Sequence, residues 1–461
     1  MATTVEPVRP GRHPQGLPTY ADVNADLLRT LGKPTRTWFM GMAVAVACVL
    51  FGVFCFLRQL KYGLGVTGYS PPSFWGSYIV TFVFWVGIAH SGTLISAILF
   101  LFRSSWRAAV YRAAEAMTVI AVITAALFIA VHLGRTWYIY WVPPYPNIRG
   151  LWPNPRSPLL WDVFAINTYL TVSATFLYMG LIPDITSIRD RSVGLKRKIY
   201  GALSLGWRNT NAEWRHFMRM YLFLAGLSTP LVLSVHSVVS WDFAMGIVPG
   251  WHATIFAPYF VAGAIFSGCG MVITILVPLR HFFRLERYIE VRHFENLAKL
   301  CLLTSTIVGY AYFTEYFIAW YSGNPFERAS FYNRVFGNYA WATWTMITCN
   351  VFIPLLMWSK KIRTNITWLF VISIFINIGM WFERYVIIAS SLHHEYEPWQ
   401  WGYYVPNWNE LGIMLGSFGW FAMLFMLFCK VFPSIAIAEV KEALPPPRRV
   451  GTATAGHGGA H

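Results

Sequence analysis

Residues 74–102 read FWGSYIVTFVFWVGIAHSGTLISAILFLF, with no Asp, Glu, Lys or Arg anywhere in the stretch. About 20 apolar residues suffice for a helix to cross the bilayer's hydrocarbon core. The apolar residues here run continuously, whereas the strands of a membrane barrel alternate apolar and polar positions. The stretch reads as a transmembrane helix, and the same test carried outward finds nine more. They are Trp38–Leu57, Ala114–Leu133, Leu160–Ile182, Met220–Ser240, Ala253–Leu279, Leu297–Trp320, Ala340–Trp358, Asn365–Ala389 and Leu411–Phe432.

Composition agrees. Charged residues make up 12% of the 461, and 56% are hydrophobic; soluble chains are about a quarter charged. The net charge of +16 would suggest nucleic-acid binding in a soluble protein. Here the basic residues sit in short segments between apolar runs, which excludes that class. Six cysteines, Cys48, Cys55, Cys269, Cys301, Cys349 and Cys429, all fall in apolar runs without C-x-x-C spacing. That spacing excludes a local iron–sulfur ligand cluster and a C-x-x-C-H haem attachment.

The expected fold is an all-α membrane protein of ten helices. Residues 1–37 form a polar N-terminal segment without a signal peptide, 38–432 the membrane domain, and 433–461 a disordered tail. Lys and Arg concentrate in the N-terminal segment, the even-numbered loops and the C-terminal side, with few in the odd-numbered loops. The positive-inside rule then puts both termini in the cytoplasm. A weak internal repeat relates Gly87-Ile-Ala-His-Ser-Gly-Thr to Gly263-Ala-Ile-Phe-Ser-Gly-Cys. It predicts two four-helix bundles, 74–240 and 253–389, related as a parallel repeat; His90 has Phe266 as its counterpart.

Ionisable residues within spans are costly and are functional candidates. They are His90, His132, Asp162, His236, Glu315, Glu383 and Arg384, with Arg135 and Asp242 just past helix ends. The topology sets all but His90 in or near the outer third; His90 alone lies near the midplane. His132 and Asp162 flank one outer turn, and a His–carboxylate pair there can take protons near neutral pH. Glu383-Arg384 reads as a structural ion pair. Two outer loops, Trp137–Pro158 and His393–Tyr404, are rich in Trp, Tyr and Pro. They suit the membrane interface and equally a docking platform for a peripheral partner.

Six stretches carry a resemblance: Trp85-Val-Gly-Ile-Ala-His-Ser-Gly-Thr-Leu-Ile-Ser-Ala with Arg112-Ala-Ala-Glu-Ala-Met, Ser157-Pro-Leu-Leu-Trp-Asp-Val-Phe-Ala, Pro249-Gly-Trp-His, Ile318-Ala-Trp-Tyr-Ser-Gly and Asn377-Ile-Gly-Met-Trp-Phe-Glu-Arg-Tyr. In this order they resemble the NrfD/PsrC-like family of quinone-interacting membrane subunits, and within it the ActC-type subunits of Alternative Complex III. The resemblance implies a site that oxidises menaquinol or ubiquinol in a bacterial inner-membrane respiratory complex. It implies no metal or haem in this chain, with electrons passing to a periplasmic iron–sulfur subunit and multihaem cytochromes c. A homologous NrfD-like membrane subunit, lipids and a terminal oxidase are further implied partners. His132 and Asp162 fall at the catalytic positions; Arg135, Tyr169, His236, Asp242 and Arg384 fall among the quinol contacts, and His90 and Glu315 on a proton path. Two other classes stay open on the residues alone. One is a secondary transporter, for which Gly226 and Pro230 hint at a broken helix. The other is a cytochrome b-like anchor with a haem between His132 and His236.

Overall fold

The computed structural model describes residues 18–444 except 71, 72, 74, 105, 144–154 and 254. The described residues hold ten helices long and apolar enough to cross a membrane. Numbered with the shorter helices in chain order, α1 is Tyr20–Arg29, α2 Arg36–Tyr62, α3 Ser77–Leu101, α4 Tyr111–His132, α5 Pro158–Arg189, α6 Gly194–Leu203 and α7 Asn211–Ala244. Then come α8 Phe256–Phe282, α9 Val291–Tyr321, α10 Pro325–Phe336, α11 Ala340–Trp358, α12 Ile366–Ser390, α13 Trp408–Val431 and α14 Ile437–Glu442. The spanning helices are α2–α5, α7–α9 and α11–α13, all at the expected places. The structure differs by extending several of them: α5 and α7 continue well past Ile182 and before Met220. The added turns carry Asp184 and Arg189 in α5 and Glu213, Arg215 and Arg219 in α7, and apolarity alone undercounts such turns.

Helix α3 is the hub. It is apolar all round and nearly fully buried, as a helix surrounded by other helices must be. Helices α3, α4, α5 and α7 close a ring, each packed on the next. Helices α8, α9, α11 and α12 close a second ring in the same way, and the rings meet where α3 packs on α8. Lipid tails are as apolar as leucine, so such contacts depend on close approach of small residues and on interhelical hydrogen bonds. At the α3–α8 seam a Cβ placed on Gly268 would stand 2.2 Å from Ser91 Cβ; only glycine fits. Ser91 and Ser267, which correspond in the internal repeat, each donate to the carbonyl three residues earlier, of Ile88 and Ala264, at 3.0 Å.

Outside the rings, α2 and α13 form a pair. A Cβ on Gly52 would lie 2.7 Å from Gly416 Cα, and Gly412 and Gly419 make similar approaches to Cys55 and Cys48. Helix α13 reaches back to α3 and α4. Its start is fixed by Glu410, whose carboxylate accepts from the backbone N–H groups of Asn407 and Gly68 and from Ser77 Oγ.

The polar N-terminal segment contains α1, capped by Thr19 and Asp22 and burying Val23 and Leu27. The expectation of a disordered tail from 433 needs correction. On the C-terminal side, Ser434 to Ile437 are buried and lead into α14, so order continues past 432. The tail from Pro445 lies outside the described residues. Helix α7 also runs unbroken through Pro230, because the freed carbonyl can be accommodated within a packed helix. The hint of a broken helix there is not met. Short π-helical segments occur elsewhere, at Thr348–Phe352 in α11 and Val386–Ser390 in α12.

Candidate functional site

A buried group of polar side chains lies inside the first ring. His90 of α3 stacks on Tyr169 of α5, ring centroids 4.3 Å apart and planes within 10°. Its other neighbour is His236 of α7, at 4.8 Å. His90 Nδ1 is 2.6 Å from Val86 O, within its own helix. His90 Nε2 and both ring nitrogens of His236 have no hydrogen-bond partner. Leaving a buried polar atom unmade costs roughly 1–3 kcal/mol, so such atoms call for a ligand, water or a catalytic role. Arg384 of α12 closes the group from the second ring. Its guanidinium lies over Phe260, 4.5 Å from the ring centroid, and comes close to Gly87 and Gly263. The two glycines correspond in the internal repeat and leave room for it between α3 and α8.

Above this group, toward the end where α4 stops and α5 starts, Asp162 faces Asp242 within hydrogen-bonding reach. Asp162 and Tyr169 are seven residues apart on α5 and therefore share a helical face, which lines up the two levels. His132 does not join Asp162: no hydrogen bond or ion pair links them. The His132 ring instead meets Trp75 edge-on at 6.5 Å. Trp75 also contacts Phe243 and Trp251, so an aromatic partition stands next to His132, and Nδ1 of His132 is buried without a partner. His132 ends α4 with its ring against Trp75 of the segment before α3, a direction that adjacency in sequence does not reveal. Arg135 is exposed at the start of the 3-10 turn Thr136–Trp141, outside the buried group.

Below the histidines the polar residues continue. Tyr169 Oη and Thr118 Oγ1 both donate to Ala89 O, at 2.8 and 2.7 Å. Thr93 donates to Ser173 at 3.1 Å. Ser96 donates to Glu115 at 2.6 Å, and Tyr221 donates to the same carboxylate oxygen at 2.9 Å. Arg112 pairs with Asp184 at 3.0 Å and stands 3.9 Å from Glu115. Arg107 links Tyr221, at 3.0 Å, to Glu439 of α14, at 2.7 Å. The other oxygen of Asp184 accepts from the backbone N–H groups of Ile437 and Ala438. Burial pushes the Glu439 carboxyl up, and Arg107 pulls against it.

Polar groups thus continue below His90 to this end of the ring. Thr93, Ser96, Thr118, Ser173, Arg107, Arg112 and Tyr221 supply them. One signal was legible: His90, Thr93 and Ser96 recur every three residues on α3. Tyr221 and Arg107 reach Glu115 and Glu439 from positions that carry no sequence signal. Glu115 is buried, whereas Glu295 pairs near the surface with Lys299 and Arg363.

The second ring holds a further cluster that shares Arg384. Glu383 binds Arg384 and accepts from Tyr312, which accepts from Asn350 Nδ2 at 2.8 Å. Asn350 sits within one π-helical segment, and the other begins two residues after Arg384; such segments recur at functional sites. Glu315 is buried in this ring with Arg334 as its nearby cation, not on the line through His90. Of the aromatic loops, Trp137, Tyr140, Trp141, Trp399 and Trp401 are exposed, whereas His393, His394 and Tyr404 are buried. Residues 144–154 of the first loop lie outside the described residues. No group of three or more His, Cys, Asp or Glu suited to a metal occurs among the described residues.

Comparison with known proteins gives the family. Residues 65–394 match the family model for the polysulphide reductase NrfD, and the chain belongs to that family. It is 27% identical over 253 residues to a putative membrane subunit of a dimethyl sulfoxide reductase from Halobacterium salinarum, covering 54% of this chain and 53% of that protein. The chain thus spans about half the length of that relative. It is 20% identical to a selenate reductase subunit of Mesobacillus selenatarsenatis, over 83% of this chain and 91% of the relative. It is 21% identical to an Hdr-like menaquinol oxidoreductase integral membrane subunit of Archaeoglobus fulgidus, over 88% and 96%.

Proposed function

We propose, from membership of the NrfD family, that this chain is the quinol-binding and quinol-oxidising membrane subunit of a respiratory electron-transfer complex, of the Alternative Complex III type. The observation that carries the reading is the alignment of Asp162 and Asp242 above Tyr169, His90 and His236 inside the first helical ring, closed by Arg384 from the second. The Archaeoglobus relative, by its name a menaquinol oxidoreductase subunit, supports menaquinol as a substrate; ubiquinol is the alternative.

Oxidising a quinol to a quinone releases two protons and two electrons. Facing carboxyls are suited to hold and pass a proton, the unpartnered imidazole nitrogens of His236 can accept a quinol hydroxyl's hydrogen bond, and His90 beside it can pass a proton onward. Arg384 can hold the opposite oxygen. The electrons leave for a partner, an iron–sulfur subunit on the periplasmic side with multihaem cytochromes c beyond it. The exposed Trp and Tyr of the outer loops offer that partner a platform. The polar residues from Thr93 and Thr118 to Glu115, Arg112 and Asp184 reach the other end of the ring, which favours coupling of oxidation to proton translocation. In this reading both termini are cytoplasmic, the two rings form the repeat units, and the membrane is a bacterial inner membrane.

The test is quinol-driven reduction of an acceptor by the purified complex, with Asp162→Asn, Asp242→Asn and His236→Gln introduced singly. Loss of turnover with retained assembly supports the site. Normal turnover in all three removes it.

A further inference from the structure

A groove of about 1460 Å³ runs along the membrane between the α2–α13 pair and helices α8 and α12. It exceeds the ~300–1,000 Å³ of ordinary small-ligand pockets. It is separate from the ring that holds His90 and His236. Its walls are apolar for most of its length, with Met271, Ile275, Ile378, Phe418 and Phe425 among them. Its form follows from the packing already described. Glycines clamp α2 onto α13, and α13 touches α3 and α4, so the pair stands away from α8 and α12.

One end of the groove is chemically different. Arg29, Lys33, Arg284 and Lys430 gather there, on the face that carries both ends of the described chain. None of the four has a carboxylate partner among the described residues. Lys430 is tied to the carbonyls of Thr30 and Gly32, at 2.9 and 3.4 Å, which leaves Arg29, Lys33 and Arg284 exposed around it. Beside them, Trp38 also lines the groove, and its indole Nε1 is buried without a hydrogen-bond partner.

We infer that this groove is a binding site for an anionic phospholipid, its acyl chains lying along α8, α12 and α13 and its phosphate held by Arg29, Lys33 and Arg284. An apolar channel with a cationic mouth at the membrane surface matches that ligand's charge and shape: basic side chains at this level attract anionic headgroups. The Trp38 N–H is placed where the glycerol ester oxygens would lie. A quinol carries no charge to complement the three cations, and a purely apolar partner helix would leave them unneutralised.

The experiment delipidates the purified complex in maltoside detergent, adds phosphatidylglycerol or phosphatidylcholine, and counts retained lipids by native mass spectrometry. Phosphatidylglycerol should be retained at least ten-fold more tightly than phosphatidylcholine. The triple variant Arg29→Gln/Lys33→Gln/Arg284→Gln should lose that preference, while the control Arg197→Gln/Lys198→Gln on α6 keeps it. Millimolar inorganic phosphate should not displace the lipid, since the chains contribute the rest of the binding. Ile378→Trp fills the groove without touching its charge and should expel the lipid even if the triple variant fails to assemble. Equal retention of the two lipids, displacement by free phosphate, or unchanged retention in Ile378→Trp would overturn the assignment. So would a photo-cross-linker at Met414 that captures a polypeptide or a quinone instead of a lipid.

Discussion

His90 and His236 face each other across the first ring with centroids 4.8 Å apart, and neither Nε2 has a hydrogen-bond partner. Two imidazoles from helices α3 and α7 thus meet at the level where Tyr169 stacks on one of them and Arg384 approaches from the second ring. The arrangement joins a deep imidazole to residues nearer the outer end of the spans, which the positions of His90 and His236 along their own helices do not suggest.

Replacing His90 by Phe keeps an aromatic ring against Tyr169 and removes the ring nitrogens. The expected outcome is an assembled complex in which fewer protons are released per electron, with quinol affinity little changed. Proton release measured against electron flow in sealed vesicles checks this; an unchanged ratio assigns His90 to packing.

Asp162→Asn and Asp242→Asn should each lower quinol turnover by at least ten-fold, because each removes one member of a facing carboxyl pair. His132→Ala should have a smaller effect, since His132 meets Trp75 and does not reach Asp162. Steady-state rates of the three variants, with subunit content verified, rank them. A His132 variant as damaged as the aspartate variants would return that residue to the mechanism.

Arg112→Leu should prevent stable assembly. It leaves Asp184 and Glu115 buried without their cation, and breaking a buried pair in this way costs about 3–5 kcal/mol. Asp184→Asn keeps the shape while weakening the hold on Ile437 and Ala438. Its expected result is faster labelling of a cysteine placed at Ala438, with the membrane helices intact.

Gly416→Leu should separate α13 from α2. The new side chain would occupy the space of Gly52, an overpacking that costs ~1–3 kcal/mol. The thermal midpoint of the purified complex should fall, while Gly226→Leu, where a Cβ meets nothing within 4 Å, should leave it unchanged.

A reporter enzyme fused after His461 should be active only in a cytoplasmic form. Helix α1 touches α14, so the two described ends share one face of the membrane. The concentration of Lys and Arg in the same segments argues that this face is cytoplasmic. Periplasmic activity of the fusion would invert the topology.

The ten spans were legible because a bilayer imposes one simple requirement, a continuous apolar length, and residues 74–102 meet it without help from neighbours. The candidate ionisable residues were legible for the related reason that charge in such a stretch is rare. Pairing among them was not. Asp162 meets Asp242 and not His132, because the rotations of α4, α5 and α7 about their own axes decide which side chains face each other, and these are not encoded locally. The inner polar residues were missed because Thr, Ser and Tyr are ordinary in apolar helices; they gain significance only when four helices turn them toward one axis. Local hydrophobicity determined that the chain spans the membrane and how often. The packing of small residues at Gly268 and Gly416, set by contacts between distant segments, decided which helices touch, and so where a polar interior and an apolar groove could form.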